Sequence, residues 1–170
     1  FLAQPNNTAL VPATSPTLTE RGACYTFLRY LYEQSDDPDR FIWRLTNTNK
    51  VGIQNVEAAF QGRDSTFDEF PEMMNRWAVA LALSETGVTD DPRFNYQPRV
   101  RDAETGQYRG LCLRCNAEDG RGTVLSGPVV ASVATLPAVV SSPAIQFLSV
   151  PASGKLALSG TKAMKVTQIR

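Results

Sequence analysis

The chemistry open to this chain is limited by its lack of histidine. None of the 170 residues is a histidine, although histidine is the usual general base near neutral pH and the commonest protein ligand of transition metals. A histidine-activated nucleophile, an HExxH zinc site and a histidine-ligated haem are therefore excluded. Catalysis would have to rest on carboxylates, lysine or the three cysteines, so the sequence argues against an autonomous hydrolase.

Two of the cysteines have a spacing that carries chemistry in other proteins. Cys112 and Cys115 form a CxxC pair, a spacing shared by redox motifs, half zinc sites and local disulfides. A zinc site usually takes four Cys or His ligands, and a thioredoxin-type site needs a βαβ unit, which the pattern lacks. We expect a local disulfide between Cys112 and Cys115 in an oxidising compartment. Free thiols are the next alternative and a metal site is the last.

Other reactive residue types are better explained by local structure. Adjacent acids occur at 36–37, 90–91 and 118–119, and acids beside proline or glycine are typical of caps and turns. A calcium site near the second or third pair lacks EF-hand spacing. Ser159 and Lys162 match an SxxK motif, but they lie at an expected turn and lack its partner motifs. We therefore expect no cofactor and no bound metal.

The charge balance excludes several classes of partner. Seventeen basic and seventeen acidic residues cancel to a net charge of zero, which leaves no electrostatic footprint for nucleic acid or for an anionic membrane. No apolar run approaches the roughly 20 residues of a membrane-spanning helix. The hydrophobic fraction of 42% indicates a folded protein. We expect a folded domain that binds no nucleic acid and has no membrane span of its own.

The first helix is marked by a cap and by an apolar stripe. Thr17 and Glu20 have the spacing of a capping box, in which each side chain bonds the other residue's backbone N–H. Cys24, Phe27 and Leu31 follow at helical spacing and predict a side that faces the core. The opposite, polar side is expected to carry Arg21, Arg29 and Glu33.

Three more helices are indicated before residue 86. One begins at 37–38, where aspartate precedes proline, and another covers about 53–60 and is stopped by Gly62. The fourth is capped at 65–66 and ends near Gly87. Its apolar residues repeat at helical spacing and are expected to lie in the core: Phe67, Phe70, Met74, Trp77, Ala78 and Leu81.

The last part of the chain changes to small and β-branched residues. Strands are predicted at 129–136, 145–150, 155–158 and 163–169, with glycine-containing turns between the last three. This pattern indicates a small antiparallel sheet. Its alternation is weak, so the sheet is expected to pack on the helices or on a partner.

The predicted fold class is α+β: an N-terminal four-helix cluster, a long loop, and a small antiparallel β-sheet or hairpin tail. The expected segments are an extended lead-in at 1–16, a helical domain at 17–85, a polar loop at 86–128 and a β-rich tail at 129–170.

Several motifs resemble one family of secreted bacterial enzymes. The run RGACYTFLRYL at 21–31 resembles a helix of hyicolysin-type metallopeptidases, and GIQNVEA at 52–58, FDEF at 67–70 and RWAVA at 76–80 follow in the same order as in that family. The resemblance implies a gluzincin-like lower lobe downstream of the catalytic part. The family's HExxH helix and further zinc-binding acid lie upstream, so no catalytic or metal-binding residue is carried over.

Together, the absent histidine and the resemblance predict a protein that is not an enzyme. We expect a non-catalytic structural or binding subunit, derived from a metallopeptidase-like protein, in a periplasmic or extracellular assembly of the cell envelope. Its partners would be other protein chains of the envelope or of a membrane complex. The alternative is the helical half of an active secreted zinc metallopeptidase whose HExxH half is a separate chain.

Aromatic residues supply the candidate interface, because tyrosine and tryptophan are favoured anchors of protein contacts. Tyr25, Tyr30 and Tyr32 on the first helix are candidates, with Trp43 and the loop at 86–128. An isolated half-domain must cover the apolar face left by its missing part.

Overall fold

The computed structural model describes residues 1–11, 15–62, 67–115, 125–133, 143–151 and 166–169. These residues form four α-helices and two small two-stranded sheets, so the predicted α+β class with four helices is confirmed. The helices are α1 (Leu18–Gln34), α2 (Pro38–Thr46), α3 (Gly52–Ala59) and α4 (Phe70–Leu83). The strands are β1 (Val100–Arg101), β2 (Tyr108–Arg109), β3 (Val130–Ser132) and β4 (Phe147–Ser149).

The chain divides into two compact units, and the division falls inside α1. Unit 1 combines Phe1–Leu28 with Pro128–Arg170, and unit 2 is the continuous segment Arg29–Gly127. The segments expected from sequence were consecutive, whereas unit 1 joins stretches that are remote along the chain. No described helix has both the length and the apolar composition needed to cross a membrane.

Helix α1 begins with the predicted capping box. The Glu20 N–H donates to the Thr17 hydroxyl at 3.2 Å, and the Thr17 N–H donates to Glu20 Oε2 at 2.8 Å. Two backbone donors at the helix start are thereby satisfied. Phe27 and Leu31 are buried on the predicted apolar side, and Cys24 is half-buried.

Helices α2 and α3 pack against each other within unit 2. Asp37 accepts the Arg40 N–H at 3.0 Å, which confirms the predicted cap at the start of α2. The side-chain amide of Asn55 in α3 donates to the Leu45 carbonyl of α2 at 2.9 Å. The predicted role of Gly62 is wrong: α3 ends earlier, and Gly62 forms a β-bridge with Ser35.

Helix α4 supplies much of the core of unit 2. Trp77 and Phe67 are 1% and 2% exposed, as expected from the aromatic spacing. The helix begins at Phe70, and the predicted cap at 65–66 lies outside the described residues. It ends at Leu83 rather than near Gly87, because the ψ angle of Ser84, 129°, lies outside the helical region, and Glu85 follows with a left-handed φ of 63°.

The described part of the tail does not form the predicted antiparallel sheet. β3 pairs with β4 in parallel, with Val130 opposite Phe147 and Ser132 opposite Ser149. A parallel pair needs a connection of about a dozen residues or more, and the stretch 133–146 provides it. Residues 166–169 are described and lie in no strand, while the predicted strand at 155–158 falls outside the described residues.

In unit 1, backbone hydrogen bonds join residues 2 and 10 to residues of the tail. The Leu10 N–H donates to the Pro143 carbonyl at 2.9 Å, and the Val129 N–H donates to the Leu2 carbonyl at 2.9 Å. The expected extended lead-in contains a short 3-10 helix at Pro5–Asn7. These backbone bonds bring the two stretches of unit 1 together.

A β-hairpin lies within the segment that was expected to be a polar loop. β1 and β2 pair antiparallel, with Val100 opposite Arg109 and Arg101 opposite Tyr108. Its turn is closed by Asp102, whose carboxylate accepts the N–H groups of Glu104 and Thr105 at 3.0 and 2.9 Å. Strands of two residues are too short to give a period-two signal, which is why the sequence pattern missed them.

Gly110→Ala is expected to destabilise the protein more than Gly87→Ala. Both glycines have left-handed φ angles, 77° and 73°, so alanine costs roughly 1–2 kcal/mol of backbone strain at either position. At Gly110 the added carbon would also overlap the Pro98 carbonyl, whereas Gly87 has open space. This overlap adds about 1–3 kcal/mol. Denaturant unfolding measures both losses, and equal losses would contradict the close approach at the hairpin base.

Candidate functional site

A cleft of about 770 Å³ lies in unit 2 and is lined by several charged and polar residues. Its walls come from the end of α1, the turn that follows α4, and segment 91–97. Segment 91–97 has no regular structure except a 3-10 turn at Pro92–Phe94. Its position therefore depends on bonds to side chains of the helices.

Glu33 places a buried carboxylate at this cleft. Its side chain is 1% exposed; Arg29 Nε donates to Oε1 at 2.6 Å, and the backbone N–H of Gln97 donates to Oε2 at 2.8 Å. Burial raises the pKa of Glu33, and the bonds from Gln97 and Arg29 oppose this rise. The expected place of Glu33 on the polar side of α1 is wrong, because segment 91–97 covers it.

Two further side chains of α1 hold the same segment. The Tyr30 hydroxyl donates to the Arg93 carbonyl at 2.8 Å, and the Gln34 side-chain amide donates to the Pro92 carbonyl at 2.8 Å. Both carbonyls belong to the 3-10 turn, which cannot satisfy them internally. The end of α1 thus forms hydrogen bonds with three residues of the segment, Pro92, Arg93 and Gln97.

Helix α4 holds the segment from its own side. Trp77 Nε1 donates to the Tyr96 hydroxyl oxygen at 2.9 Å, and the Tyr96 N–H donates to Ser84 Oγ at 3.0 Å. The Ser84 hydroxyl donates in turn to the Ala80 carbonyl at 2.7 Å. These buried bonds hold Tyr96 by its hydroxyl and by its backbone, so the wall of the cleft is fixed by both helices.

Glu33 in the cleft wall and Asp91 beside it have carboxylates that are engaged within the fold. Both oxygens of Glu33 accept bonds from protein groups, and Asp91 accepts two N–H groups of the Arg93 guanidinium, the shorter contact being 2.6 Å. No group of three or more Cys, Asp or Glu suited to a metal ion occurs in the described ranges. Residues 116–119, part of the calcium alternative, lie outside them. Glu33 and Asp91 therefore bind groups of the protein itself.

The CxxC pair closes a short loop at the end of α4. Cys112 and Cys115 are joined as a disulfide, with their Cα atoms 5.8 Å apart. Between them, the N–H groups of Leu113 and Arg114 donate to Glu85 Oε2 at 2.6 and 2.8 Å. One carboxylate oxygen thus holds the loop. The compartment in which the protein acts stays a prediction.

Arg114 caps the C-terminal end of α4. Its guanidinium donates to the carbonyls of Ala82, at 2.9 Å, and Ser84. The last carbonyls of a helix lack partners in the helix and carry partial negative charge, so a cation there is stabilising. Gly127 lies so close that a β-carbon would be 2.7 Å from the Arg114 guanidinium.

The third cysteine has the environment of an unreactive thiol. Cys24 is half-buried, and its Sγ–H donates to the Leu10 carbonyl at 3.3 Å. Burial, with a smaller contribution from Glu20, raises the pKa of this thiol. The nucleophilic thiolate is therefore disfavoured.

The four aromatic interface candidates differ in how far they are exposed. Tyr25 and Trp43 are 57% and 59% exposed, and Tyr32 is half-buried. The prediction for Tyr30 is wrong, because its side chain is fully buried among the helices of unit 2. Tyr30 lies on the same side of α1 as Phe27 and Leu31, and its hydroxyl is satisfied inside the fold.

Several exposed apolar residues lie close to Trp43 in the sequence, and we call this set the α2–α3 surface. It extends from the middle of α2 to the start of α3, and four large side chains there are at least 37% exposed: Ile42, Trp43, Val51 and Ile53. On the same helix, Nη1 of Arg44 is buried and has no acceptor among the described residues. The sequence pattern singled out Trp43 but not its neighbours.

Comparisons with protein-family models, with curated proteins and with solved structures find no match for this chain. The described residues define an α+β protein in which segment 91–97, irregular except for one 3-10 turn, forms part of the cleft wall. The resemblance to hyicolysin-type metallopeptidases rests on the sequence motifs and remains a prediction.

The stability of the Glu33→Gln variant should increase, relative to that of the unaltered protein, as the pH rises. Because the pKa of Glu33 is raised in the folded state, the folded protein binds this proton more tightly than the unfolded chain. Its stability therefore falls as the pH rises from the ordinary glutamate pKa of about 4.3 through the raised folded pKa. The glutamine variant lacks this titration. Unfolding at a series of pH values measures the difference, and a constant difference would contradict the raised pKa.

Arg114→Ala is expected to destabilise the protein by about 2 kcal/mol, because charge-assisted bonds to the carbonyls of α4 are lost. Arg40→Ala, which removes an exposed guanidinium from α2, serves as the control and should change stability by less than about 0.5 kcal/mol. Thermal or denaturant unfolding measures both. Equal effects would show that Arg114 does not act as a cap.

Proposed function

We propose that this chain is a non-catalytic binding subunit that acts by protein–protein contact through the α2–α3 surface. The observation that supports this best is Trp43, a tryptophan on a short helix with 59% of its surface exposed. Single exposed aliphatic residues are normal on protein surfaces. A tryptophan with several apolar neighbours is instead typical of an interface.

The neighbours of Trp43 strengthen this assignment. Val51 is 79% exposed, although it directly precedes α3 and could have been a polar residue without loss of packing. Ile42 and Ile53 are also exposed, at 41% and 37%. Burying such apolar surface contributes roughly 25 cal/mol per Å². Binding of a partner over the α2–α3 surface would therefore be favoured by the burial of this apolar area.

The partner we propose presents an apolar pocket that receives the Trp43 side chain, because tryptophan anchors of interfaces occupy such pockets.

The broader setting rests on the sequence. The absence of histidine supports a non-catalytic role, and the motifs at 21–31, 52–58, 67–70 and 76–80 support derivation from a metallopeptidase-like protein of the cell envelope. We therefore propose a periplasmic or extracellular location and partners among envelope or membrane-complex proteins.

A photo-crosslinking amino acid at position 43 is expected to capture one defined partner chain in the native organism. The same probe in place of Val88, which is 61% exposed elsewhere in unit 2, should not capture that chain. Trp43→Ala should weaken co-purification of the partner by at least about tenfold, as loss of an interface anchor does. The readout is mass spectrometry of the crosslinked and co-purified chains, with zinc measured in the complex.

Two results would overturn the proposal. Equal capture at positions 43 and 88 would show that the α2–α3 surface is not a specific contact. Co-purification of an HExxH-bearing chain with one bound zinc would show that the chain is half of an active peptidase. Trp77, which is buried, should keep the same fluorescence in the Trp43→Ala variant and so report that the variant is folded.

A further inference from the structure

The β1–β2 hairpin carries a second surface, and its chemistry differs from that of the α2–α3 surface. The Arg99 guanidinium carbon lies 4.0 Å from the centre of the Tyr108 ring, and that of Arg101 lies 6.0 Å from it. All three side chains are exposed. We call this set the cationic face of the hairpin.

Stacking on Tyr108 positions the two guanidinium groups without using up their donors. A guanidinium that lies over a ring still presents its edge N–H groups, which match the two oxygens of a carboxylate. Neither arginine has an ion pair in the part of the chain that the structure describes; Arg101 Nε makes one long bond, 3.4 Å, to the Gly106 carbonyl. The two guanidinium groups of the cationic face thus have no carboxylate partner among the described residues.

The opposite face of the same hairpin is already neutralised. Arg109 pairs with Asp102 at 3.1 Å, and Arg109 lies opposite Val100 in the register. Since side chains alternate across a strand, these residues point away from Arg99, Arg101 and Tyr108. The hairpin therefore has one neutral face and one cationic face.

The spacing of the two arginines fits a particular kind of ligand. Arg99 and Arg101 are two positions apart, so in extended chain their Cα atoms are roughly 6.6 Å apart, and alternate Cα atoms of an extended peptide have the same repeat. We propose that the cationic face binds an extended acidic segment of a partner protein, with carboxylates at alternate positions. This inference rests on the proposed function, because it names the chemistry of a second contact with a protein partner.

Nucleic acid and anionic membranes are weaker matches for the same face. Their binding depends on a broad excess of positive charge, whereas this chain has a net charge of zero. The hairpin itself also carries Asp102 and Glu104 near its tip. A short acidic peptide can contact the two arginines without approaching these carboxylates.

The test is fluorescence anisotropy with the whole chain and a labelled peptide in which glutamate alternates with serine. Binding should be saturable at low salt and weaken as salt is added. Arg99→Ala with Arg101→Ala should weaken it by about tenfold, the value of two exposed charge-assisted contacts. A peptide of the same composition with its glutamates contiguous should bind less tightly.

Arg109→Ala is the matched control, since it removes the same charge from the opposite face; it should leave peptide affinity within about twofold. Equal loss in this control, or no saturable binding by the unaltered chain, would overturn the inference. Tighter binding of oligothymidine, or of vesicles of equimolar phosphatidylcholine and phosphatidylserine, would overturn the choice of a protein segment. Trp43→Ala should bind the peptide normally, so this test and the crosslinking test fail independently.

Discussion

Between α4 and β3, the residues that the structure describes contain little regular structure, and this constraint explains many of the polar bonds in unit 2. Backbone N–H and C=O groups that are removed from water must find partners, and a chain without long strands or helices cannot supply them to itself. In this protein the partners are side chains of the helices. Glu33, Gln34 and Tyr30 bond segment 91–97 from α1, and Glu85 bonds the CxxC loop.

The same constraint accounts for the roles of two carboxylates, Glu33 in α1 and Glu85 just beyond the end of α4. A carboxylate can accept two N–H donors with separate oxygens or with one, and each such bond is stronger than a neutral one. Glu33 uses its two oxygens for Arg29 and Gln97, while Glu85 uses one oxygen for two successive backbone groups. Arg114 performs the complementary task at the carbonyls that end α4.

What the sequence revealed about the fold was local. Caps at Thr17 and Asp37 and the stripe of Phe27 and Leu31 are encoded within a few residues, and all of them are present in the structure. The burial of Glu33 depends instead on Gln97, 64 positions away, and the parallel pairing of β3 depends on a crossover. Neither leaves a periodic signal in its own segment. The two proposed surfaces differ in the same way. Trp43 could be singled out in the sequence by its residue type, whereas the cationic face depends on the register of a hairpin.

The two-part composition of unit 1 has a consequence for how the protein is made. Unit 2 is continuous, so its contacts become available as soon as residue 127 has been synthesised. Unit 1 needs Leu10 to meet Pro143, a contact between residues far apart in the chain, and such non-local contacts slow folding. Leu10 therefore cannot form this bond until residue 143 has been synthesised, whereas the core around Trp77 needs no residue beyond 127.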